Sequence, residues 1–168
     1  MPLDLIWIPV GAEHLALWHR PRRQYLRDIA AQDTSAGLVV VTLLHPGEGA
    51  EHLGGLIQAA GLAWFWLPLS SGRPPEGAES DRIVAALPVL SAHLDAGRAL
   101  LLHCSAGMHR TGMVAYALLR WRGYTAEQAL AAIAQSRPIT REALTPERLA
   151  WGERVVGASV EGEEVVNG

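Results

Sequence analysis

The chain has 168 residues, 49% of them hydrophobic and 18% charged, with a formal net charge of -3 and a pI near 6.1. That length buries a core without staples or metal, and the ordinary apolar and charged fractions exclude wholesale disorder. Mild acidity without a long basic run excludes the electrostatic footprint of a nucleic-acid or anionic-membrane binder.

The N-terminal Met-Pro-Leu-Asp-Leu-Ile-Trp-Ile has no basic region ahead of an apolar run. No apolar stretch of about 18 residues follows, so neither signal peptide nor membrane span is expected, and the location expected is cytoplasmic. Leu3 to Pro9 alternates weakly and predicts a first strand, with Leu15 to Trp18 pairing beside it as an edge. After Pro21, the residues Tyr25, Leu26 and Ile29 recur at helical spacing. The run Leu38 to Leu44, bounded by Gly37 and Pro46, predicts a buried strand. Leu53, Leu56 and Ile57 mark a short helix closed by Gly61, and Leu62 to Leu67 returns to strand with Trp64 and Trp66 on one face.

Residues 68–79 read as loop. Ser80 is placed to cap a helix whose stripe is Ile83, Leu87, Leu90 and Leu94, ending at Gly97, and Pro88 inside it should kink it or remove a turn. Ala99 to His103 is the next strand. A helix is expected from Arg110 to Gly123, and Thr125 with Gln128 makes a capping box for another through Gln135. Thr145 followed by Pro146 reads as the cap and first position of a last helix carrying Leu149, Val155 and Val156. The small, acidic segment from Gly157 onward has no amphipathic stripe and predicts fraying, which gives a single domain over 1–157 and a tail over 158–168. Strands alternating with helices predict an α/β fold: a mainly parallel central sheet flanked by helices on both faces.

One cysteine excludes an intramolecular disulfide and fits a reducing compartment. That cysteine, Cys104, stands where a buried strand ends and a helix begins, in His103-Cys104-Ser105-Ala106-Gly107-Met108-His109-Arg110-Thr111-Gly112. Ligands of open α/β sheets bind at such an end. Successive N–H groups between strand and helix form an anion nest, and the helix N-terminus adds partial positive charge, so a phosphate is favoured there. The same field favours a thiolate nucleophile at Cys104. Arg110, six positions on, is placed to return across the loop and grip two phosphoryl oxygens with its planar fork, while Gly107 permits a tight turn.

The motif His103-Cys104, five residues, then Arg110-Thr111-Gly112 resembles the signature loop of the protein tyrosine and dual-specificity phosphatase superfamily. The chain's size is similar to the compact dual-specificity branch, and a looser resemblance extends from Arg20-Pro21 through the last helix. The resemblance implies Cys104 as nucleophile, Arg110 as transition-state clamp, Thr111 as the hydroxyl bonded to the thiolate, and His103 as the residue orienting the cysteine from behind. Ser105, Ala106, Gly107, Met108, His109 and Arg110 would bind the phosphate. It implies a cysteine-dependent phosphomonoesterase working without metal or cofactor, whose partner is a phosphorylated substrate.

The sequence departs from the family pattern where an acid should protonate the leaving oxygen. The loop reads Pro68-Leu69-Ser70-Ser71-Gly72-Arg73-Pro74-Pro75-Glu76, and Ser71 falls at the acid's position. Of five Asp, only Asp81 lies nearby; Glu76 is the first choice of acid, with Glu79 also in range and His109 a further candidate. Since a phenolate leaves more readily than an alkoxide, activity biased toward aryl phosphates is expected. Glu147 after Thr145-Pro146 stands where related phosphatases often carry a water-positioning Gln. Arg137 and Arg141 flank Pro138-Ile139-Thr140 at the rim, and His19, Arg20, Arg22 and Arg23 read as a helix start with an exposed basic face. Two alternatives stay open: a catalytically silent phosphate-binding relative, or a rhodanese- or arsenate-reductase-type cysteine enzyme.

Overall fold

A computed structural model of the protein describes residues 3–32 and 36–166, with side chains described through residue 158. Among the described residues five strands form one sheet: β1 (Ile8–Val10), β2 (Glu13–Trp18), β3 (Leu38–Thr42), β4 (Ala63–Trp66) and β5 (Ala99–His103). Their order is β1-β2-β5-β3-β4, and only the β1–β2 pair is antiparallel. The helices are α1 (Leu26–Ala30), α2 (Ala50–Ala59), α3 (Gly77–Asp95), α4 (His109–Trp121), α5 (Ala126–Ser136), α6 (Pro138–Glu142) and α7 (Pro146–Val166).

The period-two pattern of the strands divides the core between the two faces of the sheet. Leu15, Leu17, Val39, Val41, Leu100 and Leu102 point to one face, against buried residues of α3, α4, α5 and α7. Ala16, Trp18, Leu38, Val40 and Leu101 point to the other, against α1 and α2. Every residue of β3 and β5 is buried, as expected for parallel strands covered on both sides. The α/β architecture read from the sequence is the one observed.

Several boundaries differ for physical reasons. The first strand is confined to Ile8–Val10, because only these residues reach the hydrogen-bonding edge of β2. β2 pairs with β1 as expected, but it lies inside the sheet, parallel to β5 on its other side. α3 starts a turn before Ser80, with Glu76 as its N-cap, and it runs through Pro88 without a break. Its stripe Ile83, Leu87, Leu90 and Leu94 is buried on both sides of the proline, and each such side chain contributes about 2 kcal/mol, enough to offset one missing helix bond. Ser80 instead accepts a hydrogen bond from Trp151 Nε1. The short α6, which the sequence reading leaves as a connection, uses Pro138 at its first turn. α7 continues past Gly157 to Val166, through most of the segment expected to fray; residues 167–168 of that tail lie outside the described residues.

Register places the site. Thr42 is level with His103 on one side, and Trp18 is level with His103 on the other. The loops leaving the C-terminal ends of β2, β3 and β5 therefore converge on one spot.

Candidate active site

Cys104 is the first residue beyond β5 and is 3% exposed. Its Sγ accepts a hydrogen bond of 3.1 Å from Thr111 Oγ1, in the first turn of α4. The loop between them is held from outside at three consecutive carbonyls. Ser105 O accepts from the Arg20 N–H at 3.0 Å, Ala106 O from Arg137 Nη2 at 3.1 Å, and Gly107 O from the Thr140 hydroxyl. Among the described residues no peptide bond is cis, and a trans peptide points its carbonyl and the following N–H in opposite directions. The N–H groups of Ala106, Gly107 and Met108 are thus turned inward, and no protein acceptor is bonded to them among the described residues. The result is a cup of amide hydrogens at the start of α4, suited to an oxyanion.

Gly107 is required by this construction. Its φ is +70°, and a Cβ there would lie 2.4 Å from the Trp18 carbonyl oxygen and 2.5 Å from its carbon. The loop therefore rests backbone to backbone on the chain leaving β2.

Arg110 is 8% exposed and its guanidinium is fixed. Nη1 donates to Glu48 Oε2 at 2.6 Å and to Leu69 O at 3.1 Å, and Nη2 donates to Glu48 Oε1 at 2.9 Å. Glu48 thus holds both terminal nitrogens of the fork, beside Cys104. The Arg110 hydrogen bond keeps the Glu48 carboxyl below the usual range, against the opposing effect of burial. The same bond raises Arg110, so the pair is ionised on both sides. Glu48 is the functional residue that the sequence reading missed; the signal was a carboxyl just past the C-terminal end of a buried strand, where ligands of such sheets bind.

Behind the cysteine, a hydrogen-bond chain fixes the imidazole of His103. The Trp64 indole, a donor only, donates to Thr42 Oγ1 at 2.8 Å, and Thr42 lies 2.8 Å from His103 Nε2. His103 Nδ1 lies 3.1 Å from Cys104 O, an acceptor only, so Nδ1 carries the proton and Thr42 donates to Nε2. Burial pushes the His103 pKa down to about 4, which keeps the ring neutral. The chain leads from the edge strand β4 to the backbone of the nucleophile candidate.

The remaining candidates are less close. Ser71 is exposed, and its Oγ accepts from the Arg73 N–H. Ser70 donates to Glu79. Glu76 is exposed at the N-cap of α3 and lines hollows with Glu147, Trp151 and Arg154 of α7. Asp81 lines one of these hollows too. Among the described residues, Glu48 is the only carboxylate hydrogen-bonded to the segment 104–110. The His109 side chain packs against Gly72, whose Cβ would come within 2.8 Å of it. Burial, with Arg148 and Arg110 nearby, lowers its pKa and leaves the ring neutral near pH 7. Arg148 pins the same loop by donating to Gly72 O. Arg137 braces Ala106 O, while its buried Nε has no partner.

A mainly parallel α/β sheet with a lone cysteine and an arginine framing an amide cup at the central strand's end defines the cysteine-phosphatase class of fold. Residues 78–155 match the model described as the tyrosine phosphatase family. Among solved structures, the chain is similar to Tk-PTP in its active form, at 20% identity over 90% of this chain and 96% of that one, with TM-score 0.70. It is similar to kinase associated phosphatase at 16% identity over 95% and 97%, with TM-score 0.73. PTPMT1 in complex with PI(5)P aligns at 17% identity over 89% and 94%, with TM-score 0.70. No curated protein matches the sequence. The chain thus shares the fold of these phosphatases, and its stretch 78–155, which holds the cysteine loop, is similar to the tyrosine phosphatase family.

Proposed function

We propose that the protein is a cysteine-dependent phosphomonoesterase acting through a phosphocysteine intermediate and favouring aryl phosphates. The observation that carries this reading is the set of three outward-bonded carbonyls, which turns the N–H groups of residues 106–108 toward the site of Cys104 and Arg110. In the first step Cys104 Sγ forms a bond to phosphorus as the bond to the leaving oxygen breaks. In the second, water attacks phosphorus, the S–P bond breaks, and inorganic phosphate leaves with the thiolate restored. The inward amides and Arg110 stabilise charge on the equatorial oxygens in both steps. Thr111 supports the thiolate by its hydrogen bond to Sγ.

The aryl preference is supported by the surroundings of the 68–76 loop. Ser71 is a poor acid, His109 is neutral, Glu48 is ionised on Arg110, and Glu76 faces α7. A phenolate leaves without a donated proton far more readily than an alkoxide. The substrate class covers phosphoproteins and small phosphomonoesters, in line with a neighbour that binds PI(5)P. A cytoplasmic location belongs to the same proposal. Among the described residues no helix is long and apolar enough to cross a membrane.

Turnover of p-nitrophenyl phosphate should be abolished in Cys104→Ser, with vanadate or phosphate binding retained; persisting turnover in that variant refutes the assignment. Equal rates on alkyl and aryl esters, lost in Glu76→Gln, would show an acid in that residue and overturn the aryl bias. The second reading, a silent phosphate reader, is favoured by the same lack of an acid. It predicts phosphate binding with no burst of product at stoichiometric enzyme.

A further inference from the structure

Where an acid is expected the loop carries Ser71, whose hydroxyl is turned back to the Arg73 N–H. Beside it stands a cation. Arg148, in the first turn of α7, donates from Nε to Gly72 O at 2.8 Å and from Nη1 to Ala143 O at 2.7 Å. Both acceptors are neutral carbonyls, and Arg148 makes no ion pair among the described residues, whereas Arg110, Arg120 and Arg122 each meet a carboxylate. Its charge is therefore not cancelled nearby. A cation in the first turn of a helix also opposes the helix dipole, so α7 gains nothing electrostatically from it. The charge faces the cup. Gly72, which Arg148 holds, lies so close to His109 that a Cβ there would come within 2.8 Å of the His109 Cβ, and His109 is the neighbour of Arg110 in the phosphate loop. Arg148 and Arg110 both act on the His109 ring, which places it between the two cations. A guanidinium is planar, and one Nη2 N–H leaves it parallel to the Nε N–H. With Nε on Gly72 O, that Nη2 N–H points to the same loop, and no protein acceptor is bonded to it among the described residues. The one buried side-chain nitrogen without a partner among those residues is Arg137 Nε, so Arg148 Nη2 is reachable from solvent.

We propose that Arg148 is a catalytic residue that serves the leaving group in place of the missing acid, its Nη2 N–H meeting the ester oxygen as the P–O bond breaks. This rests on the phosphatase reading for the position of that bond. As Cys104 Sγ bonds to phosphorus, the ester oxygen keeps the electron pair of the broken bond and departs as an anion against the guanidinium; it then takes its proton from water. Arginine stays charged at every working pH and gives up no proton itself, so it stabilises a phenolate and does little for an alkoxide. The bias toward aryl esters thereby gains a named residue. A donor aimed at charge that develops only in the transition state raises kcat/KM more as the leaving group becomes more basic.

The test is a series of aryl phosphates running from p-nitrophenyl phosphate to phenyl phosphate, with log kcat/KM plotted against the pKa of the phenol released. Wild type is compared with Arg148→Ala, with Arg148→Gln, which keeps an N–H for one carbonyl but no charge, and with Arg148→Lys, which keeps the charge. The expected result is a steeper line for Arg148→Ala and Arg148→Gln, with a loss about 10-fold larger on phenyl than on p-nitrophenyl phosphate, and a line nearer wild type for Arg148→Lys. A residue that only pins Gly72 would lower all esters alike. Parallel lines for wild type and the uncharged variants, or an Arg148→Lys line as steep as that of Arg148→Gln, overturn the assignment; if Arg148→Ala does not fold, the Gln and Lys variants decide. Turnover by wild type with parallel lines defeats the role of Arg148 alone, whereas no turnover of any ester by wild type defeats the phosphatase reading and this role with it.

Discussion

Replacing Glu48 by Gln tests whether the cup needs its guanidinium held from behind. The native pair has two bonds, at 2.6 Å and 2.9 Å, between an arginine side chain that is 10% exposed and a carboxylate that is 34% exposed. Glutamine keeps an oxygen for one guanidinium N–H but sets its own NH2 against another, so one charge-assisted bond and the charge are lost. Such a bond contributes about 1.5–3 kcal/mol, and the exposed third of the carboxylate discounts this to about 1–2 kcal/mol. If the loss falls on the alignment of Arg110 in the transition state, kcat/KM for p-nitrophenyl phosphate drops about 5- to 30-fold. Urea unfolding of the same variant measures how much of the loss is stability. A kcat/KM within twofold of wild type refutes the orienting role. Tighter vanadate binding with kcat unchanged would refute it differently, by showing that the carboxylate competes with the ligand for the guanidinium.

Three further outcomes follow from the same geometry. Gly107→Ala forces a Cβ to within 2.4 Å of a backbone oxygen at positive φ; a loss of about 2 kcal/mol or more in urea unfolding is expected, together with loss of vanadate binding. Thr42→Val leaves both Trp64 Nε1 and His103 Nε2 without their partner and should destabilise by about 2 kcal/mol, lowering kcat less than Cys104→Ser does. Stability should also fall in mild acid. His103 titrates at about 4 when folded, so the unfolded chain takes up this proton first, near 6.5, and the protein loses up to about 3 kcal/mol between these two values. Glu48, depressed when folded, adds its own loss as pH falls below the ordinary carboxylate range. Urea midpoints measured from neutral pH to about 4.5 should slope downward, and His103→Gln should reduce that slope; equal slopes in both proteins would refute the assignment.

The fold was legible because its strands are coded by short, local apolar runs. Leu38 to Leu44, bounded by Gly37 and Pro46, and Ala99 to His103, ending at Cys104, are continuous and buried throughout. The capping box at Thr125 and Gln128 and the proline start at Pro146 were likewise local and are observed. The cysteine loop was legible for the same reason, since Cys104, Gly107, Arg110 and Thr111 fall within eight consecutive positions. What was hidden depends on which strands are neighbours. Glu48 meets Arg110 across 62 residues only because β3 lies beside β5, and Arg137 and Thr140 reach the loop across 31 and 33 residues. Pro88 misled because propensity counts the lost helix bond and not the leucines buried around it.

The outward ties of residues 105–107 come from the exit of β2, from the α5–α6 junction and from α6 itself, so the amide cup exists only once these remote segments have docked. A partly folded chain would present the same sulfur with none of this architecture around it. With a single thiol in the sequence, the rate at which a cysteine reagent labels the protein during refolding becomes a clock for the moment the cup is assembled.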